Sequence, residues 1–152
     1  MRVQNARWQV KIVQLLAVPG LMVAYYLLLF HNGALASACS GNGWDDCGSV
    51  SGPDAPYSAI GPVPVALIGL VGYVTIFLIT WAADWWALLD DYLLEVLTGV
   101  VGFALLFTLV LTGIELFVIH AMCRYCVVSA FIVIVMFALC ASALRSGAAE
   151  AS

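Results

Sequence analysis

Four of the five cysteines in this chain form two pairs with different spacing. Cys39 and Cys47 flank the polar segment SGNGWDD, and Cys123 and Cys126 form the motif CRYC at the start of an apolar stretch. Cysteines three positions apart share one helix face, about 5 to 6 Å apart, and can be bridged or opened with little backbone movement. A helix amino terminus, together with Arg124, would favour the thiolate, the nucleophile of thiol–disulfide exchange. The pairs therefore indicate redox chemistry.

Other interpretations of these cysteines stay open at this point. The loop pair also fits a disulfide that closes a flexible loop, and CRYC also fits a structural disulfide or part of a metal site. Zinc would require a second CxxC or suitably spaced His, and with His120 alone nearby we expect no metal. CRYCV lacks the His that follows CxxC in c-type haem attachment. The lone Cys140 is expected to pack inside an apolar helix.

The elements that must position the cysteines are membrane helices. Of 152 residues, 64% are hydrophobic and 9% are charged, whereas soluble domains are about half apolar and about a quarter charged. Four apolar runs can each cross about 30 Å of hydrocarbon. We predict an all-α integral membrane protein, a single domain 1–152 that forms a four-helix bundle with a cysteine-bearing outer loop at 31–62. The predicted spans are 12–30, 63–83, 96–120 and 122–144, with a very tight turn before CRYC.

Basic residues set the predicted orientation. They precede the first span and follow the last, which places both termini in the cytoplasm by the positive-inside rule. These residues are Arg2, Arg7, Lys11 and Arg145. The loop 81–95 is then cytoplasmic, although its charged residues are acidic, among them Asp84, Asp90 and Asp91. The paired cysteines then face the periplasm or the ER lumen, where disulfides persist. With a net charge of −4, the chain offers no basic face to nucleic acid.

Three sequence features in a fixed order carry a resemblance to a known family. A spaced Cys pair in the first outer loop is followed by PYSAIGPVPVALIGLVGY at the second span and by CxxC at the start of the fourth. This order resembles the vitamin K epoxide reductase family over residues 16–144. The resemblance implies a membrane thiol–disulfide oxidoreductase that makes disulfides and reduces a quinone of the ubiquinone, menaquinone or vitamin K type. Whether an epoxide is also a substrate stays open.

The resemblance also implies a role for each cysteine. A thioredoxin-like or DsbA-like protein on the outer face attacks the Cys39–Cys47 disulfide at Cys39. Cys47 then attacks Cys123, which is bridged to Cys126 in the oxidised state, and Cys126 passes the electrons to the quinone. We expect the partner to be a separate protein, since no thioredoxin-like segment follows the fourth span. The bacterial inner membrane is the expected location, with the ER membrane as the alternative.

The same resemblance places the quinone among the helices. Vertebrate members hold the quinone carbonyls with an Asn and a Tyr, but this chain has Val65 and Ala130 at the matching positions, which implies a mainly apolar pocket. Ser51 and Ser58 are candidates for a serine that family members carry after the second loop cysteine. The expected pocket residues are Ser58, Val65, Gly69, Tyr73, Ser129 and Ala130.

The sequence leaves open the roles of two ionisable residues and two alternative functions for the whole chain. Glu115 and His120, near the outer end of the third span, could relay protons to a reduced quinone or could be polar residues of the membrane interface. The chain could also be a non-catalytic bundle stapled by both cysteine pairs. A metal-binding or sulfur-carrying membrane protein is the remaining alternative.

Overall fold

The computed structural model describes residues 2–36, 39, 43–85 and 92–151. The helices and strands follow in this order: α1 (Arg2–His31), α2 (Cys47–Ser51), β1 (Ala59–Ile60), β2 (Val63–Pro64), α3 (Val65–Ala82), α4 (Leu93–Ile114), a π-helical turn (Glu115–Ile119) and α5 (Arg124–Ala151). Within the described ranges, four helices are long and apolar enough to cross a membrane. This confirms the predicted all-α bundle of four membrane helices.

The four long helices form a ring around one apolar core. The helix α1 packs against α3 and α5, and α4 packs against α5 and α3. Side chains such as Ala17, Leu97 and Met136 are fully buried between them. Large apolar residues also point outward, and Phe103 and Phe131 are 70% and 67% exposed. This is the distribution expected for helices that meet lipid on the outside, because the backbone bonds of a helix are satisfied within it.

Helices α1 and α3 approach closely at Gly20. A Cβ atom at this position would lie 2.2 Å from Cε1 of Tyr73, so only glycine leaves room for the ring. The Tyr73 hydroxyl lies 2.8 Å from Oγ of Ser129 on α5. Because α3 and α5 stand on opposite sides of the ring, this hydrogen bond ties the bundle together across its centre.

The ends of the helices differ from the predicted spans. Within the predicted span 63–83, Val63 and Pro64 belong to a two-stranded hairpin with β1, and α3 begins only at Val65. Pro64 precedes the helix because it lacks an N–H group and fits where no helical donor is needed. The helix α1 starts far ahead of position 12, and α4 starts ahead of position 96, at Leu93. The predicted span 122–144 becomes α5, which begins at Arg124.

The outer loop contains more regular structure than the sequence indicated. The segment 31–62 contains the short helix α2 and the strand β1. At the opposite end of the bundle, Lys11 forms an ion pair with Asp84. The first helix and the loop after α3 therefore meet at the end that lies away from the cysteines. Asp90 and Asp91 lie outside the described residues.

Candidate functional site

The loop cysteines form a disulfide whose position depends on α2. Cys39 and Cys47 are bonded, with their Cα atoms 5.8 Å apart. The Oδ1 atom of Asp46 accepts hydrogen bonds from the backbone N–H groups of Gly48 at 3.0 Å and Ser49 at 3.2 Å, which caps α2 and makes Cys47 its first residue. Cys47 is 2% exposed, whereas Cys39 is partly buried. Cys39 is therefore the more accessible sulfur of the disulfide.

The two cysteines of CRYC are free thiols at the start of α5. Cys123 is fully buried and immediately precedes the helix, and Cys126 lies in its first turn. A hydrogen bond from the side chain of Cys126 lowers the pKa of Cys123 to about 7, and the backbone N–H groups of Cys126 and Tyr125 act in the same direction. The start of the helix thus favours the Cys123 thiolate, as its sequence position indicated.

The two cysteine pairs meet at one sulfur contact. The Sγ atom of Cys123 lies 3.1 Å from the Sγ atom of Cys47. Both side chains belong to an apolar cluster with Leu27, Phe30 and Val50, which excludes water from the contact. A thiolate at Cys123 would face a disulfide sulfur directly, the arrangement that thiol–disulfide exchange requires.

The same sulfurs could also hold a soft metal ion after reduction. The Sγ atoms of Cys39, Cys47 and Cys123 lie within 4.8 Å of one another. In this structure two of them are joined to each other, which leaves Cys123 as the thiol of this group. A metal site at these three residues would first require reduction of the disulfide.

A clamp of residues 44–46 and 122–124 holds the sulfur contact in place. The N–H of Met122 donates to the carbonyl of Trp44 at 2.7 Å, and the N–H of Asp46 donates to the carbonyl of Met122 at 3.2 Å. Beside them, Nε of Arg124 donates to Oδ2 of Asp45 at 3.0 Å, and the pair forms a salt bridge. The hydrogen bond from Arg124 holds the pKa of Asp45 below its usual value. The clamp therefore ties the outer loop to the start of α5.

The chain reverses between α4 and α5 in a very short turn, as the sequence predicted. His120 adopts a left-handed conformation with φ of 57°, which is uncommon for residues other than glycine. The N–H of His120 donates to the carbonyl of Glu115 and closes the π-helical turn, and the N–H of Ala121 donates to the same carbonyl at 3.3 Å. The side chain of His120 is exposed and does not line the cavity described below.

A cavity lies beside Cys126, among the four long helices and the outer loop. Every residue expected for the pocket lines this cavity except Ala130. The lining members of that set are Ser58, Val65, Gly69, Tyr73 and Ser129. Successive residues of a helix point about 100° apart, since a turn takes about 3.6 residues. Ser129 therefore faces the cavity from α5, whereas its neighbour Ala130 is not among the lining residues in the described part of the chain.

The cavity is also lined by polar residues that were not among those expected for the pocket, and three of them bear on its chemistry. Glu115 is 6% exposed and interacts with the side chain of Cys126 and the backbone of Cys123. The Oγ atom of Ser51 lies 3.8 Å from the Sγ atom of Cys126. His31, at the end of α1, also lines the cavity. Glu115 could be singled out from the sequence because it is an ionisable residue inside an apolar span. The contact between Ser51 and Cys126 could not, because it depends on how α2 packs against α5.

We predict that the Asp45–Arg124 pair limits the opening of the clamp. In Asp45→Asn, the backbone amides of residues 44–46 and 122 should exchange with deuterium about twofold to fivefold faster, since an exposed ion pair contributes only modestly. Raising the salt concentration should produce a similar change in the unmodified protein. Hydrogen exchange followed by mass spectrometry measures both effects.

The exposed Asp54 of the same loop provides the matched control. Asp54→Asn should leave exchange at the clamp unchanged. Equal protection in Asp45→Asn and in the unmodified protein would contradict a role of the ion pair in holding the loop.

We also predict an unusually acidic thiol at Cys123. In a reduced variant that lacks the other cysteines except Cys126, thiolate absorbance should rise with a midpoint near pH 7 instead of about pH 8.5, the value of a free thiol. Cys126→Ala should move the midpoint upward because it removes the donor to the thiolate. Cys126→Ser should shift it less, since a hydroxyl can still donate. Identical midpoints in all three proteins would show that Cys126 does not set this pKa.

Comparisons with known proteins agree with this geometry. The profile of the Vitamin K epoxide reductase family matches residues 11–141, which include both cysteine pairs and most of the bundle. A search of curated proteins found no match. The matched region covers most of the chain, and the four membrane helices fit a membrane family. The chain belongs to the vitamin K epoxide reductase family.

Proposed function

We propose that this protein is a quinone-dependent thiol–disulfide oxidoreductase that makes disulfides in a partner protein. Electrons enter at Cys39 and Cys47, pass to Cys123 and Cys126, and leave on a membrane quinone. The observation that carries the proposal is the 3.1 Å contact between the sulfurs of Cys47 and Cys123. This contact brings the two cysteine pairs together inside an apolar cluster. If the Cys39–Cys47 disulfide only stabilised the loop, it would not require the free thiol of Cys123 beside it.

The internal exchange accounts for the redox state seen in the structure. A partner dithiol reduces the loop disulfide and becomes a disulfide itself. The Cys47 thiolate then attacks Cys123 in the Cys123–Cys126 disulfide, and Cys126 leaves as a thiolate. The Cys39 thiolate attacks Cys47 and releases Cys123. The product is a loop disulfide with two free thiols in CRYC, the combination that the structure holds.

The second half of the reaction passes the electrons to the quinone. The Cys123–Cys126 dithiol and a quinone become a disulfide and a quinol, with two electrons transferred. The cavity suits this substrate, since apolar side chains line it, Cys126 forms part of its wall, and Tyr73 and Ser129 bring hydroxyl groups. These hydroxyls would bind the quinone carbonyls, and the apolar walls would hold the ring.

The accessibility of Cys39 and the side of the membrane on which it lies indicate the kind of partner protein. Cys39 is the more accessible sulfur of the loop disulfide, so a thioredoxin-like or DsbA-like protein would attack there. The four paired cysteines lie at the opposite end of the bundle from the Lys11–Asp84 pair. We place the cysteines in the periplasm or ER lumen and both termini in the cytoplasm, with the bacterial inner membrane as the preferred location.

The alternatives fit the structure less well. A doubly stapled bundle would bridge Cys123 to Cys126, but both are free thiols and Cys123 lies against Cys47. A metal carrier would use the reduced sulfur cluster, in which the Cys39–Cys47 bond seen here is broken. The contact between the pairs is a feature that a redox relay explains and a doubly stapled bundle does not.

We predict that Cys126→Ser reduces thiol-dependent quinol formation to the background rate, because the thiol beside the cavity is lost. Cys140→Ala is the matched control on the same helix, since Cys140 is 2% exposed within the distant core. Its rate should stay near that of the unmodified protein. The measurement is quinol absorbance in detergent with a dithiol as the electron donor. Normal turnover by Cys126→Ser would remove this residue from the reaction.

A further inference from the structure

One buried ionisable group has no role in the electron path. Glu115 opens the π-helical turn at the end of α4 and lines the same cavity as Cys126. Charged side chains are rare within membrane spans, and those that occur often mark the paths of protons or substrates. Turns of π-helix are likewise frequent at functional sites.

The contacts of Glu115 place it beside the reacting thiol. Its carboxyl interacts with the side chain of Cys126 and with the backbone of Cys123, and neither is a cation. Two basic side chains of the described residues, Lys11 and Arg124, form ion pairs with other carboxylates. The carboxyl of Glu115 is therefore positioned to exchange a proton with the thiol of Cys126.

Reduction of a quinone by a dithiol moves protons as well as electrons. The Cys123–Cys126 pair loses two electrons and two protons when its S–S bond forms, and each quinone oxygen gains one proton. The electrons leave from a thiolate, so the proton of the Cys126 thiol must depart before electron transfer and must later reach a quinone oxygen. A group that contacts Cys126 and also faces the cavity can carry that proton.

We propose that Glu115 is a catalytic residue that takes the proton from the Cys126 thiol and delivers it to a quinone oxygen. This proposal rests on the proposed function of the same site. The carboxylate accepts the proton as the Cys126 thiolate forms, and the carboxylic acid then gives it to the oxygen. Cys123, the more acidic thiol of the pair, gives its proton to solvent, and the second quinone oxygen takes a proton from solvent. Glu115 ends the turnover in the state in which it began.

Other titratable side chains face the cavity from the elements packed around Glu115. They are His31 of α1, Tyr57 of the outer loop, Tyr73 of α3 and Cys126 of α5. The Nδ1 atom of His31 is buried, and no hydrogen-bond partner for it is found among the described residues. The interaction with the Cys126 side chain distinguishes Glu115 from His31 and the two tyrosines.

The test compares Glu115→Gln, Glu115→Asp and Glu95→Gln in the full-length protein. Glutamine keeps the size and hydrogen bonding of the side chain but cannot carry the proton, whereas aspartate remains an acid. Quinol formation should fall by about a hundredfold to ten-thousandfold in Glu115→Gln and much less in Glu115→Asp. Glu95 lies exposed in the first turn of the same helix, and Glu95→Gln should not change the rate.

A second readout needs no quinone. Reduction of the Cys123–Cys126 disulfide in the unmodified protein should change the infrared band of a carboxyl group, because the new thiol shares its proton with Glu115. Glu115→Gln should lose that change, and Glu115→Asp should keep it. Thermal unfolding of each variant establishes that the bundle is intact.

The outcomes separate this proposal from the proposed function. A normal rate in Glu115→Gln, or equal losses in the Gln and Asp variants with an unchanged infrared spectrum, would overturn the role of Glu115. If the unmodified protein forms no quinol, the proposed function fails instead. The infrared comparison then still decides whether Glu115 exchanges a proton with Cys126.

Discussion

The contact between the sulfurs of Cys47 and Cys123 is the interaction on which the site depends. It lies in an apolar cluster, and both side chains are almost fully buried. The two residues are 76 positions apart in the chain, so the contact exists only because the outer loop folds onto the start of α5. The capped helix α2 presents Cys47, and the clamp of residues 44–46 and 122–124 sets its distance from Cys123.

The four-helix bundle positions the start of α5 and encloses the cavity next to the cysteines. Its helices enclose a cavity that reaches Cys126, and the π-helical turn and the left-handed His120 allow α4 to return at once as α5. Gly20 admits the ring of Tyr73, whose hydroxyl meets Ser129 across the ring of helices. This pair of hydroxyl groups is part of the cavity lining, together with other polar residues such as Glu115 and Ser51. Membership of the vitamin K epoxide reductase family makes the chain a membrane oxidoreductase, and this geometry shows how thiols and a membrane-soluble substrate could meet.

Local signals account for what the sequence predicted well. Long apolar runs revealed the four membrane helices because lipid requires about 20 apolar residues to span it. The i and i+3 spacing of CRYC predicted that Cys123 and Cys126 would meet at a helix start, and the Cys126 side chain, together with the backbone N–H groups there, does favour the Cys123 thiolate. The tight turn before CRYC followed from the lack of residues between two spans.

The rest depended on tertiary contacts that no local pattern carries. Asp45 and Arg124 are separated by 79 positions, so their clamp could not be seen in the sequence. Arg124 was expected to act on the thiolate, and it does interact electrostatically with Cys123, but its hydrogen bond goes to Asp45. Ala130 and Ser129 are neighbours in sequence, yet Ser129 is the one that lines the cavity, because a shift of one residue turns a helical side chain by about 100°.

The disulfide trapped during turnover of Cys39→Ser tests the central claim most directly. Without Cys39, the bond between Cys47 and Cys123 cannot be resolved from the loop and should accumulate when Cys47 attacks the oxidised CRYC pair. Acid quenching followed by mass spectrometry of non-reduced peptides identifies the linkage. The account predicts a Cys47–Cys123 bridge with Cys126 as a free thiol. A Cys47 that stays a free thiol beside an intact Cys123–Cys126 disulfide would contradict it.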